Sequence, residues 1–123
     1  MRLPSGQALA YLGDAVYEVT LREIALEKGI ERPEKLHQFV ASYTHAEAQS
    51  KALDLIECQL TEDEKAYFKL GRNAPVSKKS RSVSIEIAHR STGFESIFGV
   101  LYINKESKRI KDLCQIIISE YFS

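Results

Sequence analysis

The stretch Phe94-Glu95-Ser96-Ile97-Phe98-Gly99-Val100-Leu101-Tyr102 is apolar on nearly every side of a helix. A soluble helix of that kind has to be surrounded by other elements, so it is the centre about which the rest of the chain packs. The spacing predicts this helix over residues 84–103, ended by Asn104. A β-branched start at Val83, Ser84 and Ile85 resembles a strand, but one strand has nothing to pair with.

The other segments supply helices to surround it. Ser5 is placed to cap a first helix running to Lys28, with Gly29 as its stop. Leu9, Leu12, Val16, Val19 and Glu23 follow one side at helical spacing, apolar except for the last. Pro33 suits a first helical position and precedes a short helix from Glu34 to Tyr43. Thr44 with Glu47, and Thr61 with Glu64, have the capping-box spacing, opening helices to Cys58 and Leu70. Ala48, Ala52, Leu55 and Ile56 form an inner face. Gly71 to Ser82, with Pro75 and several serines, reads as a loop. The last helix, 105–121, turns Ile110, Leu113, Cys114, Ile117 and Ile118 inward. The expected fold class is therefore all-α, a helical bundle in one domain spanning residues 1–123.

The 17 basic and 17 acidic residues cancel, so net charge does not argue for a nucleic-acid partner and local charge must. Two cysteines, Cys58 and Cys114, both in apolar helical patterns, are expected to be buried, reduced thiols. No signal-peptide pattern and no membrane-length apolar run is present, so the expected location is the cytoplasm.

Two acids break this pattern. Asp14 stands in Leu9-Ala10-Tyr11-Leu12-Gly13-Asp14-Ala15-Val16-Tyr17, and Glu95 in the central helix. A carboxylate among core residues is costly unless compensated, and two brought together suit a hard cation. Gly93 and Gly99 flank Glu95 and allow close helix packing. A salt bridge to Arg22 or Arg90 is the competing explanation. A second concentration of charge runs from Lys69 to Arg81. It holds Lys69, Arg72, Lys78, Lys79 and Arg81 without an acid, and Asn73 and serines add neutral donors. Such a segment suits a phosphate backbone, against the plainer reading of a solvated loop. Glu34 with His37, and Glu86 with His89, have the Glu-x-x-His spacing of di-iron carboxylate bundles. Glu is abundant, so chance matches are expected, and none of the three histidines is taken as catalytic. His45 is expected at a helix start or in solvent.

Tyr11-Leu12-Gly13-Asp14-Ala15-Val16 resembles the signature of the ribonuclease III endonuclease domain, and Phe94-Glu95-Ser96-Ile97-Phe98-Gly99 resembles its second motif. The order, the wide separation and the basic segment before the second motif also fit. The chain ends after its last helix without a double-stranded RNA-binding domain. In this it is similar to the Mini-III ribonucleases, stand-alone catalytic domains, as are Gly71-Arg72-Asn73-Ala74 and Arg90-Ser91-Thr92. Longer family members carry further acids where this chain has Ala10 and Thr92. The Mini-III pattern shares that departure, which leaves the number of metal ions open. Glu18 and Glu23 are extra acids on the first helix without an assigned role.

The resemblance implies a Mg²⁺-dependent endonuclease, with Mn²⁺ as a substitute, in the ribonuclease III helical-bundle fold. It implies cleavage of double-stranded RNA, with the 23S ribosomal RNA precursor as target and 5′-phosphate and 3′-hydroxyl ends as products. Asp14 and Glu95 would be the catalytic metal ligands, and Arg72, Asn73, Lys78, Lys79 and Arg81 the RNA contacts. It also implies a twofold homodimer, which the apolar first helix suits. The alternatives are a non-catalytic RNA-binding relative and the di-iron bundle.

Overall fold

A computed structural model describes residues 2–75 and 83–123. Its elements are α1 (Gly6–Glu27), α2 (Pro33–Thr44), α3 (Ala46–Ile56), a short 3₁₀ turn (Glu57–Gln59), α4 (Glu62–Arg72), α5 (Ile85–Ile103) and α6 (Ser107–Glu120). No strand occurs among the described residues. The all-α bundle expected from periodicity is the fold observed.

The helix ends follow local chemistry. Ser5 accepts from the Ala8 amide at 3.2 Å, and Gly29, at φ +85°, takes the left-handed conformation just beyond α1. Thr61 and Glu64 form the full capping box at the start of α4, with bonds of 3.1 and 2.9 Å. Ser84 caps α5 through the Ile87 amide at 3.1 Å. The expected box at Thr44 does not form. Thr44 closes α2, and His45 caps α3 instead, its Nδ1 accepting from the Ala48 amide at 3.2 Å. The helix-start role read for His45 is thus the observed one. After α5 the left-handed residue is Lys105, at φ +59°.

α5 lies at the centre, against α1, α3, α4 and α6. Phe94 and Phe98 on α5 meet Tyr17 of α1, the Tyr17 and Phe94 rings edge to face at 4.9 Å. The buried Tyr17 hydroxyl donates to the Tyr43 carbonyl at 3.1 Å, which satisfies its one polar atom and ties α1 to α2. Beside this core, Glu64 is buried and Arg109 of α6 holds it with bonds of 2.7 and 2.8 Å.

Glycine sets the separation of the helices that matter most. A Cβ on Gly13 would lie 1.7 Å from the Glu95 carbonyl oxygen, and one on Gly99 would lie 2.1 Å from the Leu9 carbonyl oxygen. The α1 and α5 backbones are therefore in direct contact, as Gly99 beside Glu95 predicts, while Gly93 makes room for Phe68 of α4. Gly71 is not in a loop. It lies in the last turn of α4, where its amide donates to Ser96 Oγ at 3.2 Å and its missing side chain leaves room for the Thr92 carbonyl.

Two further expectations fail for geometric reasons. Cys58 is exposed, because α3 stops at Ile56 and the chain turns there, whereas Cys114 is buried as expected. Val19 points to solvent, 61% exposed, since the buried side of α1 runs instead through Leu9, Gly13, Val16, Tyr17 and Leu21.

Candidate active site

Asp14 follows directly on Gly13, so the glycine that brings α1 onto the Glu95 backbone also brings the Asp14 side chain to Glu95. The two carboxyls are within hydrogen-bonding reach. Asp14 is exposed, contrary to the expectation of a core setting. The apolar residues around it divide between two faces. Leu9, Val16 and Tyr17 go inward, while Tyr11, Ala15 and Val19 remain in water beside the acid. Glu95 is half-buried. Its burial and the neighbouring Asp14 charge push its carboxyl from the ordinary 4.5 up to about 8, with only Gln49 acting in the opposite direction.

The salt-bridge explanation for these acids is not what the structure adopts. Arg22 pairs with Glu18 at 3.2 Å, and Arg90 reaches Asp54 at 2.5 Å and Ser50 at 2.8 Å. Among the described residues no cationic side chain bridges to Asp14 or Glu95. Glu23 is occupied elsewhere, with Lys111 of α6 at 3.3 Å. Ala10 is buried, and the Thr92 hydroxyl donates back to the Ala88 carbonyl at 2.9 Å.

Gln49, from the inner face of α3, completes the local arrangement. It is 1% exposed. Its Nε2 donates to Glu95 Oε2 at 3.4 Å, and its Oε1 accepts from the Ser91 hydroxyl. Sequence reading misses it. A glutamine between Ala48 and Ala52, on a face otherwise apolar, is the one signal present.

Of the expected RNA contacts, Arg72 and Asn73 lie exposed at the end of α4, Arg72 Nε donating to Asn73 Oδ1 at 3.4 Å. Gly71 seats this end of α4 against Thr92, three residues before Glu95. A groove of about 790 Å³ beside it is lined by Phe68, Lys69, Arg72, Asn73, His89 and Arg90, among others. Lys78, Lys79 and Arg81 lie outside the described residues. The two Glu-x-x-His motifs are not brought together. His37 lines a groove between α1 and α2, and His89 the one just described. Among the described residues no group of three or more His, Cys, Asp or Glu side chains forms a metal cluster.

An acid pair at the contact of two central helices, with a basic helix end nearby, offers hard oxygen donors beside groups suited to phosphate. The family profile described as Ribonuclease III domain matches residues 7–106, and the chain belongs to this family of endoribonucleases. Within the family its likeness is to the Mini-ribonuclease 3 group. It is 38% identical to the Mini-ribonuclease 3 of Streptococcus pneumoniae over 115 residues, 92% of this chain and 90% of that protein. It is 39% identical to a Mini-ribonuclease 3-like protein of Ilyobacter polytropus, over 94% of this chain and 90% of that one. Its fold matches the crystal structure of a Fusobacterium nucleatum protein with a TM-score of 0.82 at 30% identity, covering 96% of this chain and 94% of that one. The family acts on double-stranded RNA, and the di-iron alternative is set aside.

Proposed function

We propose that residues 1–123 form one catalytic domain in which Asp14 and Glu95 hold Mg²⁺, or Mn²⁺ in its place, for cleavage of double-stranded RNA. The observation that supports this is the acid pair itself. Two carboxyls face each other, one of them pushed up to about 8, and among the described residues no cation offsets them. Their donors are hard oxygens. Mg²⁺ is commonly bound by one or two carboxylates, with waters and substrate phosphate oxygens completing its shell. A set of two acids therefore fits it, and a larger protein cage is not required.

When bound, such a cation supplies charge stabilisation at the phosphate and a more acidic water for in-line displacement. The chain's own contribution is position and charge. The contact of Gly13 with the Glu95 backbone sets the two acidic residues side by side, and both carboxyls must be ionised to act. Arg72 and Asn73, with Lys78, Lys79 and Arg81, bind the duplex through phosphates and 2′-hydroxyls. The products carry 5′-phosphate and 3′-hydroxyl ends. The target is the precursor of 23S ribosomal RNA, in the cytoplasm. The protein works as a homodimer, with Tyr11, Ala15 and Val19 in the twofold contact beside each Asp14.

The experiment is cleavage of labelled duplex RNA with Mg²⁺ or with EDTA, by the wild type and by Asp14→Asn. Cutting only by the wild type with Mg²⁺ is expected. Cutting in EDTA, or by Asp14→Asn at the wild-type rate, removes the reading. Duplex binding without cutting by the wild type favours the non-catalytic relative.

A further inference from the structure

Gln49 is the one side chain of α3 shown to reach the acid pair, and it is buried more completely than either acid. A buried primary amide is costly unless its donors and acceptor are used, and this one is used on both sides. Its orientation is not arbitrary. Once Glu95 is ionised, as it must be to hold a cation, its carboxylate only accepts hydrogen bonds, and the observed amide already has its nitrogen facing Glu95 Oε2 and its oxygen facing away. The Ser91 hydroxyl, buried one turn before Glu95 on α5, donates to that oxygen and anchors the far end of the amide. Turning the amide over would set its oxygen against the ionised carboxylate, so it is Glu95 that selects the sense of the amide and Ser91 that anchors it. The contact to Glu95, at 3.4 Å, is at the long end for a hydrogen bond.

We propose that Gln49 is a positioning residue for Glu95, its amide anchored by Ser91 so that Nε2 fixes Oε2 and the carboxylate presents one constant face to the cation. This rests on the reading of Asp14 and Glu95 as cation ligands and adds a supporting layer to it. A carboxylate free to rotate about its last bond samples orientations in which it does not ligate. Tethering one oxygen removes them before the cation arrives. Supporting groups of this kind typically carry roughly 10- to 100-fold in metal affinity or activity. Ser91 acts on Glu95 only through Gln49, so its effect depends on the amide being there.

The test compares Gln49→Leu, Ser91→Ala and the double variant. Three measurements are made: Mn²⁺ affinity of the free protein by calorimetry, kcat and KM on duplex RNA, and the melting temperature. Gln49→Leu is expected to weaken Mn²⁺ binding and lower kcat by about tenfold, with KM for RNA unchanged. Ser91→Ala is expected to act in the same direction by less. The double variant is expected to match Gln49→Leu, because the serine has nothing left to anchor. If Gln49→Leu does not melt cooperatively, Gln49→Met and Ser91→Ala decide the matter. Wild-type Mn²⁺ affinity and kcat in a folded Gln49 variant overturn the inference, as do losses confined to KM or effects of the two changes that simply add. Glu95→Gln is run alongside. If it binds Mn²⁺ and cuts like the wild type, the reading of the acid pair fails as well. If it is inactive while the Gln49 variants are normal, only the present inference fails.

Discussion

Glu95 is where function is set against stability in a single side chain. Its ordinary pKa of 4.5 in the unfolded chain rises to about 8 in the fold. Between those values the folded state keeps a proton that the unfolded state gives up. The stability of the metal-free protein therefore falls as pH rises through this window, and the penalty is complete above about pH 8. Glu95→Gln removes the charge at constant volume, and the amide can still donate to Asp14. With EDTA at pH 8 this variant is expected to melt above the wild type. We expect on the order of 1 kcal/mol, roughly 4 °C, well below the full shift because water reaches part of the carboxyl. The same substitution, like Asp14→Asn, is expected to abolish cleavage while duplex binding survives. Differential scanning calorimetry and a cleavage assay on one preparation check both halves. Both acids are legible in the sequence because each interrupts an apolar run. Their settings are not, because the residues near Asp14 are split between core and solvent, which hydrophobicity alone does not resolve. Gln49 and Ser91 are harder still, since one glutamine on an apolar face is the whole of the signal and their partners are 46 and 42 residues away.

At the level of elements, the caps are legible wherever the capping side chain adjoins the helix. Ser5, Thr61 and Ser84 all stand at helix starts and cap them. Thr44 does not, because His45, one residue later, occupies the cap, and an imidazole is not one of the usual capping groups. The link between α4 and α6 is not visible in the sequence at all. Burial raises the Glu64 carboxyl, but the Arg109 hydrogen bond and the Thr61 amide outweigh this and hold it below the usual carboxylate range. Its contribution is full above the unfolded pKa and is lost as pH falls through the lowered folded value. Arg109→Ala leaves Glu64 buried without a cation. It is expected to cost roughly 3 kcal/mol, the low end for a broken buried pair, because 27% of the Arg109 side chain already meets water. Urea denaturation at pH 7 measures this, and the deficit should shrink at acid pH. Gly13→Ala tests the packing of α1 on α5. Its Cβ cannot coexist with the Glu95 carbonyl, so α1 must move off α5. A loss of about 3 kcal/mol or more is expected, together with loss of cleavage.

For the whole molecule, the exposed side of α1 is the feature that periodicity misplaces. Helical spacing counts Val19 with the inner face, yet it stands 61% exposed near Tyr11 at 86%. That stripe supports the proposed twofold contact. Tyr11→Asp with Val19→Asp is expected to convert a dimer into a 13.9 kDa monomer in light scattering, and, with one proposed site per subunit, to leave mostly single-strand nicks in duplex RNA. An unchanged mass for the double variant would remove α1 from the interface. Duplex affinity belongs to this scale too. Changing Lys78, Lys79 and Arg81 to Ala is expected to weaken binding and flatten its salt dependence. The log–log slope should fall by roughly 0.9 for each phosphate no longer neutralised, a value borrowed from B-DNA. Binding across a salt series in Ca²⁺ measures it, and an unchanged slope would exclude the three as phosphate ligands.

The turn after α3 offers a practical handle on all of this. The chain has two cysteines, of which Cys58 is exposed and Cys114 is sealed in the core with its thiol pushed well up by burial. A maleimide dye or nitroxide should therefore attach at one defined place per chain, on a segment separate from Asp14 and Glu95, with no cysteine to remove first. In a twofold assembly the two labels would report the separation of the subunits directly.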